Sequence, residues 1–192
     1  MDTQRLREDI VFWDEFRGKK FCFHSTWGLF SPDAVDEGSK LLINTMEINS
    51  SDMVLDLGCG YGAIGVVAAA LAPQGHIHMV DKDFVAVEYA QENAELNFLK
   101  NCESYLSNGF SNVPAGRTFH KILSNLPAKV GKEMLSIFIS DAKTHLKPGG
   151  TIYVVTVLGL KHYIKYVFQE EFGNYEKVAS GKNYIVAMAT KQ

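Results

Sequence analysis

Two acids and a run of glycines supply the first chemistry in this chain. In Met53–Gly65 (MVLDLGCGYGAIG), Asp56 stands just before the glycines Gly58, Gly60, Gly62 and Gly65. Glycines strip side chains from a turn, so a ligand can approach bare backbone. A helix opening at Ala63 would aim its unpaired N–H groups back into that turn. Gly60–Gly65 satisfies the G-x-G-x-x-G template of dinucleotide sites, which keeps a nicotinamide cofactor open. Asp56 favours another ligand. A carboxylate is a poor neighbour for a pyrophosphate and a good one for an ammonium group.

S-adenosylmethionine has an ammonium, a sulfonium and no phosphate, so the acid favours that cofactor. Asp81 ends the next apolar run, with Lys82 beside it. There its two oxygens can accept both hydroxyls of a ribose. NAD uses an acid at similar spacing, so Asp81 alone does not separate the two cofactors. Cys59, inside the glycine turn, has no paired histidine motif and reads as a packing residue.

These residues need a scaffold. Met53–Leu57 suits a buried strand and Ala63–Leu71 a helix. His76–Val80 reads as a second strand, followed by a helix over Asp83–Leu99 with Val85, Tyr89, Leu96 and Leu99 on one face. Ser104–Leu106 and Phe119–Ser124 continue the strands. Leu135, Phe138, Ile139, Ala142 and Leu146 mark an amphipathic helix, which Lys147–Gly150 (KPGG) breaks before a strand at Thr151–Val157. Leu160, Tyr163, Ile164, Val167 and Phe168 mark another helix. Tyr175–Ala179 and Tyr184–Ala189 form a terminal hairpin. The expected fold is α/β: a Rossmann-like, doubly wound, seven-stranded sheet, mostly parallel, with a C-terminal antiparallel hairpin. Residues 1–50 read as an N-terminal appendage on a domain at 51–192. It holds a strand at Lys20–Ser25 and a helix start at Ser31-Pro32, with Asp33, Asp36 and Glu37 in the first turn.

Composition narrows the class. The 192 residues are 46% hydrophobic and 21% charged, with a formal net charge of −3. That charge gives no general attraction to nucleic acid, so an RNA contact needs a local basic patch. Arg17, Lys19, Lys20, Lys129 and Lys132 are candidates for it. Cys22, Cys59 and Cys102 are odd in number and widely spaced, which suits reduced thiols in a cytoplasm. A charged N-terminus without an apolar core argues against a signal peptide, and no apolar run approaches a membrane span. The six histidines show no metal-ligand spacing and no metal is expected; His76 and His78, on one strand face, receive no role. Oligomeric state is not readable.

The chain resembles the class I S-adenosylmethionine-dependent methyltransferases over about residues 50–190, through DLGCGYG, Asp81, the Asn125–Ala128 turn (NLPA), KPGG and the hairpin. With Leu29–Leu42 (LFSPDAVDEGSKLL) added, it is most similar to the small-subunit ribosomal RNA guanine-N2 methyltransferases, specifically their short archaeal single-domain members. The resemblance implies that S-adenosylmethionine is the methyl donor and S-adenosylhomocysteine the product. It places Asp56, Gly58, Gly60, Tyr61, Gly62, Asp81 and Lys82 around the cofactor. Asn108, Gly109 and Phe110 fall where relatives hold the adenine, with Phe110 covering the ring.

The catalytic set it implies is Asn125, Leu126 and Pro127. In amino-methylating relatives this turn reads Asn-Pro-Pro-aromatic. The Asn oxygen and the next carbonyl accept hydrogen bonds from the target NH₂, aiming its lone pair at the methyl group. Here Leu126 replaces a proline and Ala128 the aromatic, so a stacking ring must come from Trp27, Phe30 or Tyr61. The departure keeps two alternatives open: a protein glutamine or small metabolite as substrate, or a cofactor-binding subunit without catalysis.

Overall fold

The computed structural model describes residues 9–126 and 131–192. In chain order the elements are β1 (Ile10–Phe16), β2 (Lys19–Ser25), α1 (Glu37–Thr45), β3 (Met53–Leu57), α2 (Ala63–Leu71), β4 (His76–Asp81), α3 (Phe84–Leu96) and β5 (Cys102–Leu106). They continue with β6 (Phe119–Asn125), α4 (Lys132–His145), β7 (Leu146–Val157), α5 (Lys161–Phe172), β8 (Glu176–Ser180) and β9 (Tyr184–Thr190). The main sheet runs β5-β4-β3-β6-β7-β9-β8, parallel through β7, with β9 and β8 antiparallel at its end. This is the doubly wound α/β sheet with its terminal hairpin.

Alternation along β3 decides which way its acid points. Val54 packs with residues of α1, α2 and α3, whereas Leu55 and Leu57 pack with Leu135 and Ile139 of α4 and Ile164 and Phe168 of α5. Asp56 therefore faces the layer containing α2. The strand order reverses between β4 and β6 around β3, the switch point where α/β sheets hold ligands at the carboxyl ends of their strands.

Residues 10–46 are built into the same core. Phe16, Phe21, Phe23, Leu29, Val35 and Leu42 belong to the cluster that contains Val54 and Val66. Strand β1 is a correction to the sequence reading, which placed one strand in this region. Its exposed face carries Val11 and Trp13, which blurs the apolar–polar alternation a half-buried strand shows. It joins β2 through Arg17 and Gly18, whose φ values of 52° and 75° are those of a two-residue hairpin turn. The outer edge of β2 is covered by two asparagines one helical turn apart, Asn93 of α3 and Asn97 at its C-terminal cap. Asn93 and Asn97 each exchange hydrogen bonds with the backbone, at His24 and Cys22 respectively, standing in for a missing strand.

Other boundaries move. Helix α1 starts at Glu37, capped by Asp36, because Ser31 adopts φ 50° and cannot open a helix there. Helix α3 buries Ala86, Val87, Ala90, Asn93 and Ala94, while Val85 and Leu96 face outward. Small residues win that face because the helix approaches Gly62 closely, its Ala90 Cβ lying 3.0 Å from where a Cβ on Gly62 would stand. Strand β7 begins at Leu146 and bulges through the KPGG segment, with Gly149 at φ 75°. Among the described residues no helix is long and apolar enough to cross a membrane.

Candidate functional site

The glycine turn leaves β3 with Gly58 and Cys59 both donating to the Val80 carbonyl, at 2.8 and 2.9 Å. Gly58 and Gly60 hold φ of +74° and +54°, and a side chain at either would meet open space. Backbone is thus presented bare to a ligand. Gly65 serves packing instead. A Cβ there would lie 2.5 Å from Met79 Cγ and 3.1 Å from Asp56 Oδ2. Gly65→Ala should therefore cost roughly 1–3 kcal/mol of stability through overpacking, read as a lower urea midpoint with an unchanged slope.

Asp56 is placed beneath this turn and not at its lip. Its carboxylate is fully buried, and Oδ2 accepts the Gly65 N–H at 2.8 Å, anchoring the first turn of α2. Oδ1 is buried with no partner. Burial pushes this carboxyl up to about 7; the Gly65 hydrogen bond opposes the rise and the negative charge of Asp81 adds to it. A buried acid with one orphaned oxygen and a second acid nearby is short of positive charge. The bare turn above it fits a ligand that brings a cation. Cys59 also packs here, its thiol pushed up by burial and donating to the Gly60 carbonyl.

Asp81, at the end of β4, accepts the Gly60 N–H through Oδ2 and the Asp83 N–H through Oδ1, both at 3.0 Å. It holds the turn from the neighbouring strand and remains partly exposed. Lys82 and Asn108 are exposed close to it in sequence and on the next strand loop. Gly109, at φ 59°, lies where an added Cβ would stand 3.0 Å from Phe138.

Two expected cofactor residues are turned elsewhere. The Tyr61 ring packs edge-on against Phe12 and Phe23, and its hydroxyl donates to the Ala34 carbonyl at 3.2 Å. Phe110 is buried in the α4–α5 core and stacks on His145 at 4.6 Å between centroids. Neither ring is free to cover an adenine or a target base; each gains more by leaving water. Only their backbones remain in the loops.

Asn125 ends β6 on the same carboxyl edge of the sheet, opposite Val155. Its Nδ2 donates to both oxygens of Asp36, each at 3.2 Å, and to Ser39 Oγ at 3.0 Å. Asp36 also accepts the Gly38 and Ser39 N–H groups as the cap of α1. With Nδ2 so occupied, Oδ1 of Asn125 is turned away from α1, and no donor reaches it among the described residues. Leu126 is buried, its N–H donating to the Val155 carbonyl at 3.0 Å. Pro127, with Ala128 and Lys129, lies outside the described residues. Asp36 and Ser39 were not anticipated as site residues. Asp36 was read only as a helix-terminus acid, and its partner Asn125 lies 89 positions away.

Among the described residues, Arg17, Lys19 and Lys132 each make a separate contact. Arg17 donates to the carbonyls of Ile43 and Met46, closing the C-terminal end of α1. Lys19 reaches the Ala70 carbonyl at 3.4 Å, at the end of α2 remote from the glycine turn. With Lys20, Phe98 and Lys100 it lines a cleft of about 570 Å³ there. Lys132 lies over the Tyr163 ring at 5.3 Å. Trp27 and Phe30 stay 63% and 66% exposed on the segment leading into Asp36, unlike Tyr61.

Residues 20–188 match the model of the methyltransferase small domain. An uncharacterised Bacillus subtilis protein, YbxB, is 41% identical over 72% of this chain and 70% of its own length. Ribosomal RNA small subunit methyltransferase C of Hamiltonella defensa is 32% identical over 96% of this chain and 56% of its own length. A Thermus thermophilus 16S rRNA N2 methyltransferase, solved with AdoMet and guanosine, superposes with a TM-score of 0.86 at 27% identity, covering 96% of this chain and 51% of that one. The chain spans about half the length of these two ribosomal RNA methyltransferases. With a bare glycine turn, two acids on adjoining strands and a held asparagine at the carboxyl edge of a doubly wound sheet, the chain belongs to the methyltransferase small domain family.

Proposed function

We propose that this protein methylates an exocyclic amino group of ribosomal RNA, guanine N2 being the target, with S-adenosylmethionine as donor and S-adenosylhomocysteine as product. The observation that carries the reading is the clamp on Asn125: three acceptor atoms on α1 hold its NH₂ group, so its oxygen is the end offered to a substrate. A base amine is a weak nucleophile because its lone pair is delocalised into the ring. Asn125 Oδ1 and the Leu126 carbonyl accept its two N–H bonds, which favours a pyramidal nitrogen and stabilises the charge that develops on it. The donor supplies an electrophilic methyl on sulfur: the N–CH₃ bond forms as S–CH₃ breaks, and the extra proton then leaves to water.

The chain's own residues would hold the donor in order. Gly58 and Gly60 expose backbone, Asp81 takes the ribose hydroxyls, and Asp56 supplies negative charge under the amino-acid tail. Trp27 and Phe30 are the rings left free to stack on the target base. Residues 51–192 form the methyltransferase domain in this reading, and the segment before it supplies Asp36 and Ser39 to the active site. A ribosomal target makes the cytoplasm its working compartment.

The test is transfer of labelled methyl from S-adenosylmethionine to ribosomal subunits, naked ribosomal RNA, cell protein and small-molecule extract, each assayed separately. We expect label in RNA, recovered as N2-methylguanosine after nuclease digestion, with KM rising steeply between 50 and 200 mM salt as phosphate contacts demand. Label in protein or in the small-molecule fraction would replace the substrate, and none in any fraction would reduce the chain to a cofactor-binding module.

A further inference from the structure

We propose a divalent metal site, of the zinc class, formed by His76 and His78 of β4 and Glu103 of the edge strand β5. His76 Nε2 and His78 Nδ1 lie 3.3 and 3.2 Å from the same carboxylate oxygen, Glu103 Oε1. All three ligand atoms fall within 4.8 Å of one another, and this is the group of that kind among the described residues. A tetrahedral ion bound by nitrogen and oxygen at about 2.0–2.2 Å keeps its ligand atoms roughly 3.2–3.5 Å apart. Two of the three edges already have that length. Residues two apart on a strand share a face, so β4 delivers both imidazoles to one side and the parallel register places Glu103 beside His78.

Hydrogen bonding alone satisfies this cluster badly. The Tyr105 hydroxyl lies 3.2 Å from His78 Nδ1, and His78 Nε2 is buried with no partner. If Nδ1 carries the proton, the buried Nε2 lone pair is left orphaned. If Nε2 carries it, Tyr105 donates to Nδ1 and the remaining electron density there faces a carboxylate oxygen at 3.2 Å. A cation shared by Nδ1, Oε1 and His76 Nε2 removes the clash at Nδ1, with the proton held on the buried Nε2 as in the second tautomer. His76 and Glu103 are 37% and 53% exposed, so water can enter and complete the coordination. The His-x-His spacing gave no sign of this, because the third ligand comes from another strand. Bound there, the ion would staple the edge strand β5 to β4, below the loop that carries Asn108.

The experiment uses tag-free, chelator-washed protein titrated with ZnCl₂ by calorimetry and with Co²⁺ by visible absorption. We expect one ion per chain, the intense d–d bands of tetrahedral Co²⁺, and a higher thermal midpoint with metal. His76→Ala and Glu103→Gln, both at partly exposed positions, should each weaken binding about tenfold or more. His24→Ala, whose imidazole pairs with Glu92 elsewhere, should bind as the parent does. Absence of saturable binding, or equal affinity in the parent and both ligand variants, would overturn the site and leave a proton as the only cation shared by these groups. The result is independent of the methylation reading, since neither the titration nor the variants involve RNA or the methyl donor.

Discussion

Asn125→Ala should lower kcat about 10²- to 10³-fold while leaving S-adenosylmethionine affinity within about twofold. The lost oxygen contributes only once the amine begins to carry charge, and removing one such preorganised partner costs about 3–4 kcal/mol in comparable sites. Nothing in its geometry touches the glycine turn: its amide is spent on Asp36 and Ser39. Single-turnover rates beside calorimetric cofactor binding separate the two effects. Equal loss of binding would place Asn125 in the cofactor site and refute the assignment. Asp36→Asn refines the argument. Asparagine still caps α1 but offers one acceptor where the carboxylate offered two, so kcat should fall less than in Asn125→Ala, with the fold's stability nearly kept.

The second large effect concerns the two acids, which the same assay tells apart. Asp81→Ala should weaken cofactor binding by well over tenfold, because it removes the ribose acceptor and frees the Gly60 and Asp83 N–H groups together. Unchanged affinity would end its ribose role. Asp56 acts through charge. Its folded carboxyl stands at about 7, above the value near 4 of an unfolded aspartate. The native state therefore keeps a proton that the unfolded chain has already released between those values. The Asp56 contribution to the stability of the cofactor-free protein should be fully present below about pH 4 and be lost as pH rises through 7. Asp56→Asn should flatten that decline and still weaken binding of a cationic ligand. A pH-independent urea midpoint in the parent would show that the carboxylate is satisfied as it stands.

How much of this was written in the chain depends on the range of the interaction. Met53–Leu57 and Ala63–Leu71 match β3 and α2 residue for residue, because glycines punctuate both ends of the turn between them. The sheet class followed from the alternation of strands and helices, and so did the terminal hairpin. Faces were harder to read. Val85 and Leu96 suggested the buried side of α3, but close approach to Gly62 selected alanines. Tyr61 and Phe110 sit in loops beside the cofactor turn, yet each ring leaves water by turning into a core wall that distant residues build. Arg17 was read as a candidate for a local basic patch, and its carbonyl partners lie 26 and 29 positions onward. The clamp between Asp36 and Asn125 has no local signature at all. Neither residue type announces it, and only the packing of α1 against the end of β6 brings them together.

Asn93 joins three parts of the fold. Fully enclosed, its one amide grips the His24 backbone of β2 on both sides and the Tyr61 carbonyl of the glycine loop. It acts as a rivet through three plates: the N-terminal ribbon, the loop and the helix that carries it. Those plates cannot slide independently, so whatever tightens the loop also tightens the ribbon, and trimming the ribbon would unseat the loop.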